Sequence, residues 1–407
     1  MENNNADKVH MFGKARLDKD QPPTLLLVAN YPSDVGYAWW LMEEYWASLA
    51  RTAYERGWRT IVAFPKIAEI PPRLREAPLE VRELVVRSQA NHRAALKRFI
   101  VSEHVKAVYF TDRPYRSLLY ARLRLWGVES IIMHDHTPGD RVRPGFAKRM
   151  VKSGLHRLPL WTCDLYIGVS RFIHDRFIDR VCLPPERCTY VCNGIRPIGE
   201  RERQPSCVKE AFGIPAQALI VISSGRVSAY KRVDLIVRAA ARVLTTTPTG
   251  TVYFVHCGDG PQLEEMRSLA ASLGISEHFI FAGRREDVRV LLTGADIAVH
   301  ASRGEAFSLA ILEFMSAGLA TIVPDNSGNR EAVTDGRSGL VVADGDEDAL
   351  VQALTSVVHD PEERSRLGRA ARESADQLFS LERAKAELSQ KVGTFLTDYR
   401  ASAVVPL

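Results

Sequence analysis

The chain of 407 residues is long enough for two or three domains, each with its own hydrophobic core. Its hydrophobic fraction of 46% and charged fraction of 25% are those of an ordinary soluble globular protein. No apolar run approaches the length of a membrane span, and residues 1–22 lack the apolar core of a signal peptide, so we expect a disordered tail there.

The cysteine content indicates a reducing compartment, the cytoplasm. Six cysteines are sparse for this length. Cys182, Cys188 and Cys192 are close in sequence, but they lack the paired spacing that is typical of a metal site. We therefore expect neither a disulfide framework nor a bound metal.

The charge is divided unevenly between the two halves of the chain. Residues 1–200 carry 31 Lys and Arg against 22 Asp and Glu, net +9, and the remainder carries 23 against 27, net −4. A half with this charge could bind nucleic acid or an anionic bilayer surface. Its most basic stretch, residues 141–161, mixes cations with apolar side chains, as a membrane-surface helix does, although an ordinary helix with a solvated face explains the pattern equally well.

Short apolar runs alternate with amphipathic segments in both halves of the chain. In the first half they predict strands at 24–30, 59–64, 106–111, 129–134 and 164–170. In the second half they predict strands at 218–224, 251–257, 278–283, 296–302, 319–324 and 338–343. Nearly continuous Val, Ile and Leu runs separated by helices indicate parallel sheets that are covered on both faces.

These strands could close one barrel or form two doubly wound sheets. The aperiodic polar stretch 193–206 near the midpoint favours an α/β fold of two Rossmann-like domains that face a cleft. We expect domains over 23–195 and 196–380, followed by a C-terminal helix within 381–407 that returns toward the N-terminal domain. Ligands of such sheets bind at the carboxyl ends of the strands, here in the cleft.

Two cations follow the strand predicted at 218–224. Gly225 permits a tight turn, Arg226 lies at the carboxyl edge of the sheet, and Lys231 opens the next helix. Two cations and a helix N-terminus aimed at one point form an anion site that suits a diphosphate, and solvated surface cations are the alternative. The turn at 257–266 has two glycines, but the chain has neither a dinucleotide fingerprint nor a P-loop.

Two carboxylates stand in and before an apolar helix. The pattern predicts a helix over 309–317, with Ser308 as its N-cap and Gly318 as its C-cap. Glu313 lies inside this helix and Glu305 eight residues earlier, so both can reach the same cleft at different depths. Such carboxylates can hold vicinal hydroxyls of a ribose or a hexose, and structural ion pairs are the alternative.

Together, these motifs resemble a known family. The Glu305-x7-Glu313 pattern, preceded by GRVSAYK (225–231) and GDGP (258–261) and followed by PDNSGNREAV (324–333), closely resembles the C-terminal domain of family 4 glycosyltransferases. The resemblance is strong over 190–390 and weaker in the N-terminal half, where VSRFIHDRF (169–177) and VCNGIRP (191–197) carry it. It implies a GT-B fold and an enzyme that uses nucleotide sugars with retention of anomeric configuration, without a cofactor.

The resemblance also implies roles for residues of the C-terminal domain. Arg226 and Lys231 would contact the donor diphosphate, and Glu313 would hold the ribose hydroxyls. Glu305 would lie beside the transferred sugar. The backbone near sugar and phosphate would be that of Phe307, Ser308 and Leu309.

The N-terminal domain would face the acceptor and supply a histidine beside the sugar. Either His134 or His136 can be that histidine, with a slight preference for His136 because a His-Thr pair recurs here in the family. The family's Gly-Gly loop after the first strand is reduced to Gly36, a candidate donor contact. Its neighbour Tyr37 is the candidate acceptor contact, and local loop packing is the alternative.

One stretch could support a different glycosyltransferase fold. The sequence DGDED (344–348) is similar to a DxD metal motif, but it precedes a helical segment and is explained more simply by helix N-capping. We therefore expect no metal in this stretch.

The leading interpretation is a cytoplasmic retaining glycosyltransferase. It would move a sugar from a nucleoside diphosphate, UDP or GDP, to a glycan, lipid-linked or small-molecule acceptor in polysaccharide or glycoconjugate synthesis. The anionic inner face of the cytoplasmic membrane is a candidate partner, and nucleic acid is not expected. A nucleotide-sugar epimerase of the same fold and a non-catalytic nucleotide-sugar-binding protein are the alternatives.

Overall fold

Two parallel β-sheets carry the fold in residues 21–35, 39–87 and 90–397, which the computed structural model describes. The strands of the first sheet are β1 (Thr24–Val28), β2 (Arg59–Phe64), β3 (Glu80–Glu83), β4 (Val105–Thr111), β5 (Ser130–Asp135), β6 (Leu165–Gly168) and β7 (Cys188–Tyr190). They lie in the order β3-β2-β1-β4-β5-β6-β7. Successive residues of β1 enter different apolar clusters, because a strand alternates its side chains between the two faces of the sheet.

Helices cover both faces of this sheet. They are α1 (Trp40–Glu55), α2 (Pro72–Arg75), α3 (Ala90–Ser102), α4 (Leu118–Leu125), α5 (Phe146–His156) and α6 (Arg171–Arg176). One turn of π-helix, Phe177–Val181, extends α6. In the part of the chain that the structure describes, no helix is long and apolar enough to cross a bilayer.

The second sheet has six strands in the order β10-β9-β8-β11-β12-β13. Its strands are β8 (Leu219–Ser224), β9 (Val252–Cys257), β10 (Phe279–Gly283), β11 (Ile297–Val299), β12 (Ala320–Pro324) and β13 (Leu340–Val342). Its helices are α7 (Cys207–Phe212), α8 (Val233–Thr245), α9 (Leu263–Ser272), α10 (Val288–Leu292), α11 (Leu309–Ala317), α12 (Ser327–Ala332), α13 (Glu347–His359) and α14 (Pro361–Leu378).

This architecture confirms the predicted α/β fold of two doubly wound sheets. The strand order reverses between β1 and β4 in one sheet and between β8 and β11 in the other. The crossover loops diverge at such a switch point and leave a crevice at the carboxyl ends of the strands. The prediction missed β3 and β7, two edge strands: β3 has the polar sequence EVRE, and β7 has only three residues.

The two halves share contacts that fix their loops. Apolar residues of α6 and α11 belong to one buried cluster, and Ser170 Oγ donates a hydrogen bond of 2.6 Å to the carbonyl of Ala306. The carboxylate of Glu331 accepts from the backbone N–H groups of Arg171 and Phe172 at 2.7 and 2.9 Å. The start of α6 is thus capped by a carboxylate from the other half of the chain.

The last described helix, α15 (Leu381–Gly393), packs against α1 of the N-terminal half. Ser48 Oγ and Ser389 Oγ lie 2.9 Å apart, and Leu388 and Val392 enter the apolar cluster of β1 and α1. The predicted domain limits at 23–195, 196–380 and 381–407 stay a prediction. Residues 1–20 and 398–407 lie outside the described residues.

Gly194 brings the connection between the halves against α15, which generates a prediction about stability. A Cβ at this position would lie 2.7 Å from Leu381 Cα and 2.8 Å from the carbonyl of Ser380. Gly194→Ala should lower the free energy of unfolding in urea by about 1–3 kcal/mol because neither backbone can withdraw without breaking contacts. Gly154→Ala is the control, since nothing lies within 4 Å of a Cβ there. Equal urea midpoints for the two variants would contradict this account of the connection.

Candidate functional site

The loop after β8 lies directly against the loop after β9 at the carboxyl edge of the second sheet. The Gly225 N–H donates to the carbonyl of Cys257 at 3.0 Å, and the Val227 N–H donates to that of Asp259 at 2.9 Å. A Cβ on Gly258 would lie 1.8 Å from the oxygen of Gly225, so only glycine permits this approach. The two glycine turns seen in the sequence therefore form one rigid platform.

His256 supports this platform from β9. Its Nε2 lies 3.1 Å from the carbonyl of Gly225, and its Nδ1 lies 2.8 Å from Ser223 Oγ. A carbonyl can only accept, so Nε2 carries the proton and Nδ1 accepts from the serine. Burial lowers the pKa of His256 to about 4, which keeps the ring neutral near pH 7. Sequence analysis missed this residue, although a histidine near the end of a buried strand is a recognisable signal.

Arg226 and Lys231 project from the platform in different environments. Arg226 is exposed and forms no hydrogen bond or ion pair with any residue in 21–35, 39–87 or 90–397. Lys231 Nζ donates to Glu305 Oε1 at 2.6 Å. The structure thus joins two of the candidate residues and leaves the Arg226 guanidinium available to an anion.

Glu305 is a carboxylate whose neighbours favour its ionised form. Burial acts to raise its pKa, but the neighbouring His300 and Lys231 outweigh burial and lower the pKa of Glu305 to about 2. His300 Nε2 lies 3.8 Å from Glu305 Oε1 and 2.9 Å from Ser302 Oγ. Burial lowers the pKa of His300, so this ring stays neutral beside the carboxylate. His300 was not predicted either; it directly follows β11.

Glu313 is the opposite case, a carboxyl group without a partner. It lies inside α11, which begins after Ser308 and ends at Gly318, as predicted. The Glu313 carboxyl forms no hydrogen bond or ion pair with the residues that the structure describes. Burial raises its pKa to about 7, although Arg289 acts in the opposite direction. A buried acid that lacks a partner and has a raised pKa is a candidate ligand contact.

The N-terminus of α11 offers backbone donors to the same region. The first N–H groups of a helix have no intrahelical acceptor, and Ser308 makes no side-chain cap. Phe307 and Ser308 are buried, and Leu309 is half-buried. Asn193 Nδ2 donates to the carbonyl of Phe307 at 3.1 Å, so the N-terminal half of the chain holds this turn in place.

Tyr230 is a further site residue that sequence analysis missed. Its hydroxyl is buried and has no hydrogen-bond partner among the described residues. Burial, with the charge of Glu305, raises the pKa of Tyr230 to about 12. The residue precedes Lys231 in the loop after β8, where an aromatic residue with a polar tip was a readable signal. Its hydroxyl can donate to a ligand oxygen.

The two candidate histidines lie together at the end of β5, with ring centroids 4.3 Å apart. His134 is fully buried, its Nδ1 is hydrogen-bonded to the hydroxyl of Tyr109, and burial holds its pKa well below the usual range. His136 lies beyond the strand with 20% of its side chain exposed, and its backbone N–H donates to Asp112 Oδ1 at 2.6 Å. Neither ring nitrogen of His136 has a hydrogen-bond partner within the described ranges.

A buried ion pair fixes the segment that follows these histidines. Arg176 Nη2 lies 3.1 Å from Asp135 Oδ2, and the hydroxyl of Tyr115 donates to the same oxygen at 2.5 Å. Arg176 also donates to the carbonyl of Gly139. This network connects β5, α6 and the loop between them, so the position of His136 is set by buried polar contacts.

The remaining predicted positions divide into two groups. Gly36 and Tyr37 lie outside the described residues. In the DGDED stretch, Asp346 accepts from the Ala349 N–H at 3.0 Å, which confirms the helix-capping interpretation. Asp344 pairs with Arg232. The described ranges contain no group of three His, Cys, Asp or Glu side chains arranged for a metal ion.

Known proteins are similar to this chain in part of its sequence and in its fold. It is 32% identical over 168 residues to the lipopolysaccharide core biosynthesis glycosyltransferase LpsE of Rhizobium meliloti, covering 41% of this chain and 48% of that protein. It is 31% identical over 206 residues to the D-inositol 3-phosphate glycosyltransferase of Acidothermus cellulolyticus, covering 48% of this chain and 46% of that protein. The chain thus spans about half the length of these curated relatives.

The solved structure of Anabaena HepE in complex with UDP has a similar fold. Its TM-score is 0.70 at 18% identity, over 91% of this chain and 100% of that one. Residues 208–374 match the family Glycosyl transferases group 1, a range that contains Arg226, Lys231, Glu305 and Glu313. The chain therefore carries a Glycosyl transferases group 1 domain on a GT-B fold, as its resemblance to family 4 glycosyltransferases implied.

Proposed function

We propose that this protein is a retaining glycosyltransferase that moves a sugar from a nucleoside diphosphate to an acceptor hydroxyl in polysaccharide, lipopolysaccharide or glycolipid synthesis. One observation carries the proposal: an unpaired Arg226 follows β8, and α11, with its free start and the unpartnered Glu313, follows β11, the two strands between which the strand order reverses. A cation and free backbone N–H groups suit the two phosphates of a nucleoside diphosphate, and a carboxyl group suits the hydroxyls of its ribose. The function named for LpsE supports sugar transfer, and the UDP bound by HepE supports the donor class.

In this proposal the donor diphosphate lies between Arg226, Lys231 and the N–H groups after Phe307. An ammonium has three donors, and Lys231 uses one of them on Glu305, so two remain for phosphate oxygens. Glu313 accepts from the ribose hydroxyls. The charge of the departing nucleoside diphosphate is stabilised by groups that are already in position before the reaction begins.

Glu305 acts through its fixed charge in this mechanism. A carboxylate whose pKa is lowered to about 2 is a weak proton acceptor, so we assign Glu305 an electrostatic role. It stabilises positive charge that develops at the anomeric carbon. The acceptor oxygen bonds to that carbon as the bond to the diphosphate breaks on the same face, and the acceptor proton passes to the departing phosphate oxygen.

We assign the sugar contact on the N-terminal side to His136 rather than His134. His136 lies beyond the strand and neither of its ring nitrogens has a hydrogen-bond partner among the described residues, whereas His134 is fully buried with Nδ1 engaged by Tyr109. The Tyr230 hydroxyl supplies a further contact beside Glu305. For the loop after β1, the proposed contacts are Gly36 with the donor and Tyr37 with the acceptor.

A screen of UDP- and GDP-sugars by mass spectrometry tests this function. The proposal predicts release of the nucleoside diphosphate and, with NMR of the product, an unchanged anomeric configuration. An isomerised nucleotide sugar without release would identify the epimerase alternative. Binding without any turnover, across donors offered with glycan, lipid-linked and small acceptors, would identify a binding protein instead.

The first prediction from this function concerns the contact between Arg226 and the donor diphosphate. Arg226→Ala should weaken binding of the nucleoside diphosphate at least about tenfold, because a hydrogen bond to a charged group contributes about 1.5–3 kcal/mol. Calorimetry measures the affinity. Arg238→Ala is the matched control, since Arg238 is an exposed residue of α8 in the same half of the chain. Equal affinity in both variants would remove Arg226 from the donor site.

The second prediction concerns Glu305. Glu305→Gln should lower turnover by about a hundredfold or more, because the charge acts on the transition state. The affinity for the nucleoside diphosphate should stay equal or rise, since Lys231 is released from its ion pair. Steady-state kinetics and calorimetry measure the two effects separately. Parallel loss of affinity and turnover would show that Glu305 only shapes the nucleotide pocket.

The third prediction uses the raised pKa of Glu313. The folded protein disfavours the ionised form of Glu313. The free energy of unfolding therefore falls as the pH rises from the ordinary pKa of 4.5 to about 7, and this loss stays constant at higher pH. Glu313→Gln should therefore raise the free energy of unfolding by about 1–3 kcal/mol at pH 8 and by less at pH 5. The same variant should bind the nucleoside diphosphate more weakly. A variant that is less stable at pH 8 would instead indicate a structural role.

A further inference from the structure

Helix α5 presents its apolar face to solvent. Phe146 is 82% exposed and Met150 lies one turn further on, while Val151 and Leu155 form the adjoining row, and all four are exposed. The residues that face the protein are the half-buried Arg149 and Lys152 and the buried His156. An ordinary surface helix buries its apolar stripe and exposes its cations, so α5 has the reverse orientation.

The exposed apolar surface continues on both sides of the helix. Val142 precedes it and is 92% exposed. The residues that follow α5 and share this exposure are Leu158, Leu160 and Trp161. Contiguous exposed apolar surface of this kind marks an interaction site in soluble proteins. We call residues 142–161 the α5 surface.

Cations without acidic neighbours border the α5 surface. No Asp or Glu occurs from 141 to 163, and the segment carries Arg141, Arg143, Lys148, Arg149, Lys152 and Arg157. Arg141 lies over the ring of Tyr115. The other five form no ion pair with a carboxylate of the described residues. The surface therefore combines exposed apolar side chains with positive charge that nothing in the described chain neutralises.

The helix is anchored to the protein from behind. His156 Nδ1 lies 3.2 Å from the carbonyl of Cys182, and burial lowers the pKa of His156 to about 4. Lys152 Nζ donates to the carbonyl of Arg180 at 3.3 Å. These contacts come from the inward face, so the outward orientation of the apolar side chains is built into the fold.

We propose that the α5 surface docks on an anionic lipid bilayer. Phe146, Met150 and Val151 enter the boundary between headgroups and acyl chains, and the exposed cations Arg143, Lys148 and Arg157 lie at the level of the lipid phosphates. A nucleic acid would use the cations and leave the apolar side chains in water. Two copies of this surface would bring like charges together, so charge complementarity selects the anionic bilayer.

A short connection joins the candidate histidines to the docking surface. Residues 137–145 connect His136 directly to α5, and the contact of Arg176 with Gly139 holds this connection. A docked α5 therefore brings the N-terminal side of the cleft close to the membrane. On the proposed function, the docked enzyme takes an acceptor that is carried by a membrane lipid, whereas the docking itself does not depend on that function.

Sedimentation with vesicles tests the docking. The full-length protein should sediment with vesicles of equal parts phosphatidylcholine and phosphatidylglycerol, and much less with phosphatidylcholine alone. Phe146→Ser, Met150→Ser and Val151→Ser combined should weaken binding at least about tenfold, since each removes apolar burial. Leu378→Ser is the control, because Leu378 is an exposed apolar residue of α14 in the C-terminal half of the chain. Calorimetry with UDP or GDP checks that the triple variant keeps its nucleotide site.

The outcomes separate the alternatives. Equal vesicle binding by wild type and the triple variant, abolished by salt, would reduce the interaction to charge alone and overturn the docking of the apolar face. A wild-type dimer that the triple variant loses in analytical ultracentrifugation, without vesicle binding, would assign the surface to a second copy. Vesicle binding without any nucleotide binding would support the docking and count against the proposed function.

The depth of insertion gives an independent readout. Lipids brominated near the headgroup should quench the fluorescence that Trp161 contributes, measured as the difference between wild type and Trp161→Phe. Transfer to a lipid-linked acceptor in vesicles should fall in the triple variant, while hydrolysis of the donor stays unchanged. Equal transfer by both proteins, with docking intact in the wild type, would contradict a lipid-linked acceptor.

Discussion

The ion pair between Lys231 and Glu305 connects the two loops that diverge at the switch point of the second sheet. Its atoms lie 2.6 Å apart, although the residues come from β8–α8 and β11–α11 crossovers. A buried carboxylate is expensive unless it is paired and hydrogen-bonded. By meeting that requirement, Lys231 and His300 allow Glu305 to remain charged beside the switch point. The platform of Gly225 and Gly258 then holds this arrangement rigidly.

Glu313 shows what happens when the same requirement is not met. It lies on the next helix, eight residues further along, without a described partner, and its pKa rises to about 7. The two acids of one stretch therefore differ in charge state because of their neighbours rather than their type. In the proposed mechanism the paired acid supplies a fixed charge to the transition state, and the unpaired acid receives a neutral, hydroxyl-bearing ligand. The unpaired carboxyl group of Glu313 thus lowers the stability of the fold at a position where it contributes to ligand binding.

The sequence predicted those features that depend on local patterns. Apolar runs located the central strands, and the limits of α11 followed from Ser308 and Gly318, although Ser308 forms no side-chain cap. The edge strands β3 and β7 were missed because half-exposed strands carry no continuous apolar run. His256, His300 and Tyr230 were missed for a different reason. Their roles depend on contacts between separate crossovers, and no periodicity within one segment reports such contacts.

Resemblance to a family identified candidate site residues that composition alone did not distinguish from surface charges. Arg226 and an ordinary solvated arginine look alike in sequence; only the geometry of the β8 loop separates them. The choice between His134 and His136 likewise needed the burial of each ring. For α5 the sequence left two interpretations open, and the exposure of Phe146 and its neighbours favours the membrane surface over a solvated face.

Hydrogen–deuterium exchange with UDP and with GDP tests the central claim most directly, because it locates the ligand without assuming a reaction. The account predicts slower exchange with at least one of them at 225–231 and at 305–313, where the donor contacts the platform and the start of α11. The α5 surface should be unaffected. Protection confined to other segments, or none with either nucleotide, would contradict a donor site between the β8 and β11 loops.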